Sequence, residues 1–261
     1  MPLFFEKNKF VCHLLYCPCI YIPEQRNGGV VMVFSSLQFI FIFMPIFFGC
    51  YYIVPDKIKN FILFIGSLCF YFVGTIHNPE HFILFILSIV ADFAVGIWIE
   101  KFPARKKVLL ATGIIFHLIN FAVFKYSGFV INEMGRLNPS FNFTADVVLP
   151  IGISFYTFQG ISYIVDVYRG NAKAERSLLR YAVYISMFEQ LIAGPIVTYG
   201  QVEKELYKRK IKVSSVLKGM GVFIFGLGLK VLLANPIGKL WSQTCAIGFE
   251  SISTPLAWMA I

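Results

Sequence analysis

Residues 82–99 read FILFILSIVADFAVGIWI, a run whose single ionisable side chain is Asp92. As a helix rising 1.5 Å per residue it reaches about 27 Å, close to the roughly 30 Å of a bilayer's hydrocarbon core. It does not alternate apolar with polar residues, as a strand of an outer-membrane barrel would. The run therefore reads as a membrane-spanning helix.

Working outward, residues 33–54, 58–76, 108–131 and 213–234 have the same character, giving five predicted spans. The composition agrees: 57% of the 261 residues are hydrophobic and 14% charged, with 29 Phe, 13 Tyr and 3 Trp. A water-soluble surface could not hide that aromatic load, and a disordered chain would need far lower hydrophobicity. The expected fold class is all-α, a polytopic helical membrane protein.

Two stretches interrupt the pattern, 149–168 (LPIGISFYTFQGISYIVDVY) and 181–199 (YAVYISMFEQLIAGPIVTY). Both mix apolar residues with Gly and polar side chains, and both contain Pro. Irregular backbone at membrane depth is tolerated only within protein or along a cavity, so both are expected to be broken or re-entrant and to line the working part.

The net charge of +9 assigns an orientation. Lys57 and Lys59, the run Arg105, Lys106 and Lys107, and the basic stretches 169–180 and 204–218 belong on the cytoplasmic side, which is a better account of the charge than nucleic-acid binding. Loops around 77–81, 132–148 and 235–251 then lie outside. The scheme closes only if 181–199 enters and leaves on the cytoplasmic side, and Gly194-Pro195 supplies the break for that hairpin.

Residues 1–31 fit neither a span nor a secretory signal: Pro18 and Pro23 interrupt a short apolar patch, and Met32 stands directly before the first span. At the other end the apolar run 255–261 begins and stops. The expected organisation is a non-conforming extension over 1–31, followed over 32–261 by the first portion of a longer membrane domain.

Asp92, His117, Lys125, Asp166, Glu189 and Lys230 are ionisable groups inside apolar segments. Each serves either a functional site or interhelical hydrogen bonding, and Lys125 has a third option in snorkelling to a headgroup. No metal site is expected. Pro79 argues against a helix bringing His77 and His81 together, and the cluster Cys12, His13, Cys17 and Cys19 has no second ligand pair after it.

Residues 149–170 (LPIGISFYTFQGISYIVDVYRG) and 187–199 (MFEQLIAGPIVTY) resemble the membrane-bound O-acyltransferase family. The likeness is to the bacterial branch of the alginate O-acetylation protein and the D-alanine transfer protein. The opening at 32–36, the run 60–74, Phe124-Lys125-Tyr126 and Leu229-Lys230-Val231-Leu232 follow the same pattern in the same order. Glu189 departs from the Pro usual in that branch, and Asn235 from its Asp. The family's catalytic histidine stands in an Arg-Arg-Trp-His context that this sequence lacks. His117 does not match it, so the resemblance assigns no catalytic residue here.

What the resemblance implies is transfer of an acyl group, acetyl in the first instance. The donor would be cytoplasmic, acetyl-CoA or an acyl carrier acting as substrate rather than bound cofactor. The acceptor would be a hydroxyl of an extracytoplasmic polysaccharide, reached with a periplasmic or extracellular acyltransferase partner. The setting would be the bilayer of the bacterial cytoplasmic membrane, crossed several times. Tyr156, Gln159, Asp166 and Gln190 are the candidates for lining the tunnel or pocket, because they lie on the irregular segments where backbone groups also need partners. The alternatives are a transporter or flippase, and an inactive membrane scaffold for a periplasmic acyltransferase.

Overall fold

The computed structural model describes residues 34–137, 148–191, 194–209 and 212–247, and every regular element among them is helical. The expectations for residues 1–31, for the Cys12 to Cys19 cluster and for the run 255–261 lie outside the described residues. A wide π turn, Phe39–Phe43, leads into α1, Met44–Ile53. Long helices α2, Asp56–Gly74, α3, Pro79–Lys101, and α4, Lys106–Leu137, follow. Then come α5, Ile153–Arg169, α6, Leu178–Ser186, the single turn α7, Phe188–Leu191, and α8, Tyr199–Tyr207. The last elements are α9, Val213–Leu229, a second π turn, Lys230–Ala234, and α10, Asn235–Ile247.

Four stretches are long and apolar enough to cross a membrane: Asp56–Gly74, Pro79–Lys101, Pro103–Gly128 and Val213–Leu240. They match four of the five predicted spans and make the chain a polytopic helical membrane protein. The exception is 33–54. Its regular helix is the shorter apolar Phe39–Ile53, ended where Val54 turns extended before Pro55, as residues preceding proline tend to. Lipid-facing positions such as Ile83, Leu87 and Val90 on α3 and Ile115, Leu118 and Ile119 on α4 are exposed. In a bilayer that arrangement costs nothing, because lipid tails are as apolar as the side chains.

One local expectation changes. Residues 149–168 are not broken inside: Pro150 to Gly152 form a turn, Gly152 at φ 71, and α5 then runs without interruption to Gly170. Gly160, inside α5, lets α3 and α4 approach. A Cβ there would run into the Asp92 carboxylate and the His117 ring. His77 lies in the turn before α3, so no helix brings it together with His81, and α3 begins at Pro79. It occupies the first turn of α3, where its missing N–H has no intrahelical partner to lose, and His81 is buried against Phe124 at 5.6 Å between ring centroids.

The second irregular segment does break. α6 stops at Met187, α7 makes one turn, and the chain passes Gly194 at φ 118 before Thr198 caps α8. The tip and the return are anchored separately. Phe188 is wedged among Phe39, Phe43, Phe47 and Phe70, with ring centroids 5.2–6.1 Å away, mostly in the edge-to-face arrangements aromatic pairs favour. On the return, the Val197 carbonyl accepts the Tyr184 hydroxyl at 2.9 Å.

Candidate functional site

The hairpin formed by α6, α7 and the return to α8 lies against α5, and its ends and its tip are fixed by different chemistry. At its base stands Glu175, whose side chain is fully buried. Arg180 donates to both carboxylate oxygens, Nη2 at 2.7 Å and Nε at 3.1 Å. The Tyr199 hydroxyl donates at 2.5 Å and the Tyr207 hydroxyl at 3.3 Å, while the backbone N–H groups of Arg176 and Ser177 donate at 2.8 Å. Burial works against this carboxylate's charge, but Arg180, Tyr199 and Ser177 outweigh it and hold its pKa below the usual carboxylate range. Because Glu175 precedes α6 while Tyr199 and Tyr207 belong to α8, one side chain ties the outgoing and returning arms together.

The basic stretches gather at this end. Glu100, at the end of α3, accepts from the Ala174 N–H at 2.6 Å and from Arg176 at 2.5 Å. Asn60 of α2 donates to the Leu206 carbonyl at 2.9 Å and accepts from Arg209 at 2.5 Å. Lys106 sits 5.0 Å above the Tyr168 ring.

The tip reaches toward the other end. A Cβ on Gly152 would strike the Leu191 carbonyl oxygen, 2.5 Å away, so the tip meets the very start of α5. A helix of α5's length is about 25 Å long, and the hairpin follows nearly all of it. Stopping α6 at Ser186 leaves its last carbonyls without intrahelical donors. That of Tyr184 is satisfied by two side-chain amides, Gln159 at 3.2 Å from α5 and Gln190 at 2.5 Å from α7.

Of the residues selected from the sequence, Gln159 and Gln190 thus converge on one backbone oxygen. Tyr156 is buried one turn earlier on α5, 5.2 Å from the Phe85 ring. Asp166 lies apart, two turns along α5 toward the basic end and half-buried. Around the glutamines, the Tyr71 and Tyr156 hydroxyls, Thr157 Oγ1, Ser186 Oγ and Gln190 Oε1 are buried without hydrogen-bond partners among the described residues. Such groups are costly to bury unpaired, and a polar substrate group threading between α5 and the hairpin would find donors and acceptors there.

One other buried site stands apart from the hairpin. Asp92 and His117, both flagged as intramembrane ionisable groups, face each other across α3 and α4, Oδ1 to Nε2 at 2.6 Å. Lys125 is exposed and lies 4.8 Å from the Phe121 ring centre. Glu175 was missed by sequence reasoning, since a glutamate in a basic loop carries no mark of burial. The one available signal was the pair Glu175 and Arg180, flanked by the apolar run that begins at Leu178.

No protein-family profile and no solved structure matches the chain. Curated relatives do. The protein named "Probable alginate O-acetylase AlgI" of Pseudomonas aeruginosa is 32% identical over 235 residues, covering 87% of this chain and 44% of that protein. The protein of the same name in Pseudomonas putida is 31% identical over 237 residues, with 87% and 47% covered. The peptidoglycan O-acetyltransferase of Helicobacter pylori is 28% identical over 266 residues, with 88% and 49% covered. The chain spans about half the length of these relatives. Similarity of this extent, on a bundle of membrane-length helices, means that the chain belongs to the membrane-bound O-acyltransferase family, in the branch of the alginate O-acetylases.

Proposed function

We propose that the chain is part of a membrane-embedded O-acyltransferase of the bacterial cytoplasmic membrane. It would move an acetyl group from a cytoplasmic donor, acetyl-CoA or an acyl carrier, to a hydroxyl of an extracytoplasmic polysaccharide. The observation that carries this reading is the similarity, through 87% of the chain, to relatives named for O-acetylation of alginate, joined by one named for peptidoglycan.

The chemistry sets three requirements. A general base must take the acceptor's proton, polar groups must stabilise the tetrahedral oxyanion, and a passage through the bilayer must join two substrates on opposite sides. In this reading the chain contributes to the third. The hairpin follows α5 from the basic end to Gly152, with Tyr156, Gln159 and Gln190 lining the deep part of the passage and Asp166 its approach. The partner that presents or receives the acetyl group outside is a periplasmic acyltransferase.

The test follows labelled acetyl from a thioester donor into isolated cell-surface glycan, in membranes from cells that carry the gene and from cells that lack it. Label entering the glycan only with the gene is the expected result. Equal labelling in both, or loss of polymer export with acetylation unchanged, overturns the reading, the second in favour of a transporter.

A further inference from the structure

The basic end of the bundle holds more positive charge than its own acids answer. Over residues 97–110 and 166–176, seven cationic side chains stand against three carboxylates, Glu100, Asp166 and Glu175. Two of the three are taken up inside the protein: Glu100 accepts from the Ala174 N–H and from Arg176, and Glu175 lies among Arg180, Tyr199 and Tyr207. Asp166 is half-buried a turn inside α5. That leaves Lys101, Arg105, Lys106, Lys107, Arg169 and Lys173, all exposed and in no ion pair among the described residues. We propose that the α3–α4 turn and the α5–α6 loop together form a phosphate-binding site, for a ligand that carries two or more phosphate charges.

The two segments stand more than sixty positions apart in the chain, and specific contacts bring them together. Glu100, at the end of α3, holds the loop through Ala174 at 2.6 Å and Arg176 at 2.5 Å. From the start of α4, Lys106 reaches the Tyr168 ring, 5.0 Å from its centre. The six cations therefore share one place rather than two. Lys106 and Lys107 also open α4, where the positive end of the helix dipole already lies and no acidic side chain stands in the first turn. An anion with several charges offsets that repulsion. Arg105 and Arg169 carry planar forks that grip pairs of phosphate oxygens, and the lysines add mobile point charges around them.

Orientation in the membrane does not require this arrangement. The positive-inside rule counts the charges in each loop and asks nothing of how two loops meet. Basic pockets between helices on the cytoplasmic face, by contrast, hold phosphate headgroups. Lys101 and Lys106 lie over the Phe102 and Tyr168 rings, the kind of side chain that marks the level of the headgroups. Two sources offer the same chemistry there: an anionic lipid headgroup of the surrounding leaflet, and the phosphates of a free thioester donor. In the reading proposed above, the site stands beside the mouth of the passage, but it rests on charge and geometry alone.

The experiment uses the whole 261-residue chain in nanodiscs at 0.15 M salt, where exposed charges more than about 8 Å away are screened. In one arm the lipid is phosphatidylcholine alone, and inorganic pyrophosphate or coenzyme A is titrated in and binding read by calorimetry. In the other, cardiolipin is added to the lipid, and native mass spectrometry counts the molecules that leave the disc with the protein. Arg105→Gln with Lys107→Gln alters the turn, and Arg169→Gln with Lys173→Gln alters the loop. All four side chains are exposed, so folding is kept, and Lys106 is left on Tyr168. Lys57→Gln with Lys218→Gln, equally exposed at the starts of α2 and α9, is the control. Either site pair should weaken phosphate binding about tenfold or more, as loss of two charge-assisted contacts does, with the control within about twofold of the wild type. The arm that shows this names the source, free phosphate in the first and headgroup in the second. A control pair that costs as much as a site pair, a loss confined to one of the two site pairs, or no binding in either arm overturns the proposal. No acetyl transfer enters the measurement, so that failure is separate from failure of the acyltransferase reading.

Discussion

Gly160 is the residue on which three helices depend, because α5 can pass the Asp92–His117 pair only where it has no side chain. Gly160→Ala is expected to lower stability by about 2 kcal/mol, the cost of overpacking a site with no room to relax. Thermal unfolding in nanodiscs reads that loss against Gly200→Ala, where nothing lies within 4 Å of the new methyl. An unchanged midpoint for Gly160→Ala would mean that α5 can slide. Glu175 makes a different prediction, in pH. Its folded-state pKa lies below its unfolded one, so its stabilisation is fully present above the unfolded value, near 4.3, and is lost as pH falls through the folded value. Glu175→Gln should lower stability at pH 7 by about 3 kcal/mol, since it leaves Arg180 and two tyrosines facing a neutral amide. It should also flatten the acid limb of the pH profile. An acid limb identical to the wild type's would place the sensitivity in another carboxylate.

The helices with the strongest hydropathy were legible in the sequence because a bilayer demands one simple thing of them, a long apolar run. The hairpin was legible for the opposite reason: Gly194-Pro195 cannot continue a helix, and in the structure the backbone turns at Gly194. What the sequence concealed is packing. Gly160 is one of 20 glycines in the sequence, and only the Asp92 and His117 side chains across from it mark it as a contact point. Glu175 was hidden for a related reason, since its partners Tyr199 and Tyr207 lie more than twenty positions away. Because Glu175 binds both arms, residues flanking the hairpin must emerge on one side of the membrane. Single cysteines replacing Lys173 and Lys208 are therefore expected to react with an impermeant reagent from the same face, and a cysteine replacing His77 from the other. Opposite-side labelling of the first two would rule out the hairpin as a re-entrant element.

Across the whole molecule the described helices divide unevenly. α2 to α6 enclose the buried polar groups, whereas only Gly219 and Gly226 of α9 are buried. In the proposed function the chain supplies one wall of a passage, with a lining of amides and hydroxyls. Among the described ionisable groups His117 is sealed behind α5 and bound to Asp92, so it cannot meet an acceptor hydroxyl between α5 and the hairpin. No Arg-Arg-Trp-His segment occurs in the 261 residues. The chain by itself is therefore expected to transfer acetyl at a rate lower by a factor of about 10²–10⁴ than a full-length relative, the usual contribution of a positioned general base. The comparison is made in nanodiscs, with the same thioester donor and soluble acceptor sugar for both proteins and label counted in the ester product. His117→Gln should leave the residual rate where it was. A rate for the chain equal to the relative's, abolished by His117→Gln, would show that the buried pair is the catalytic base and that α5 moves to uncover it.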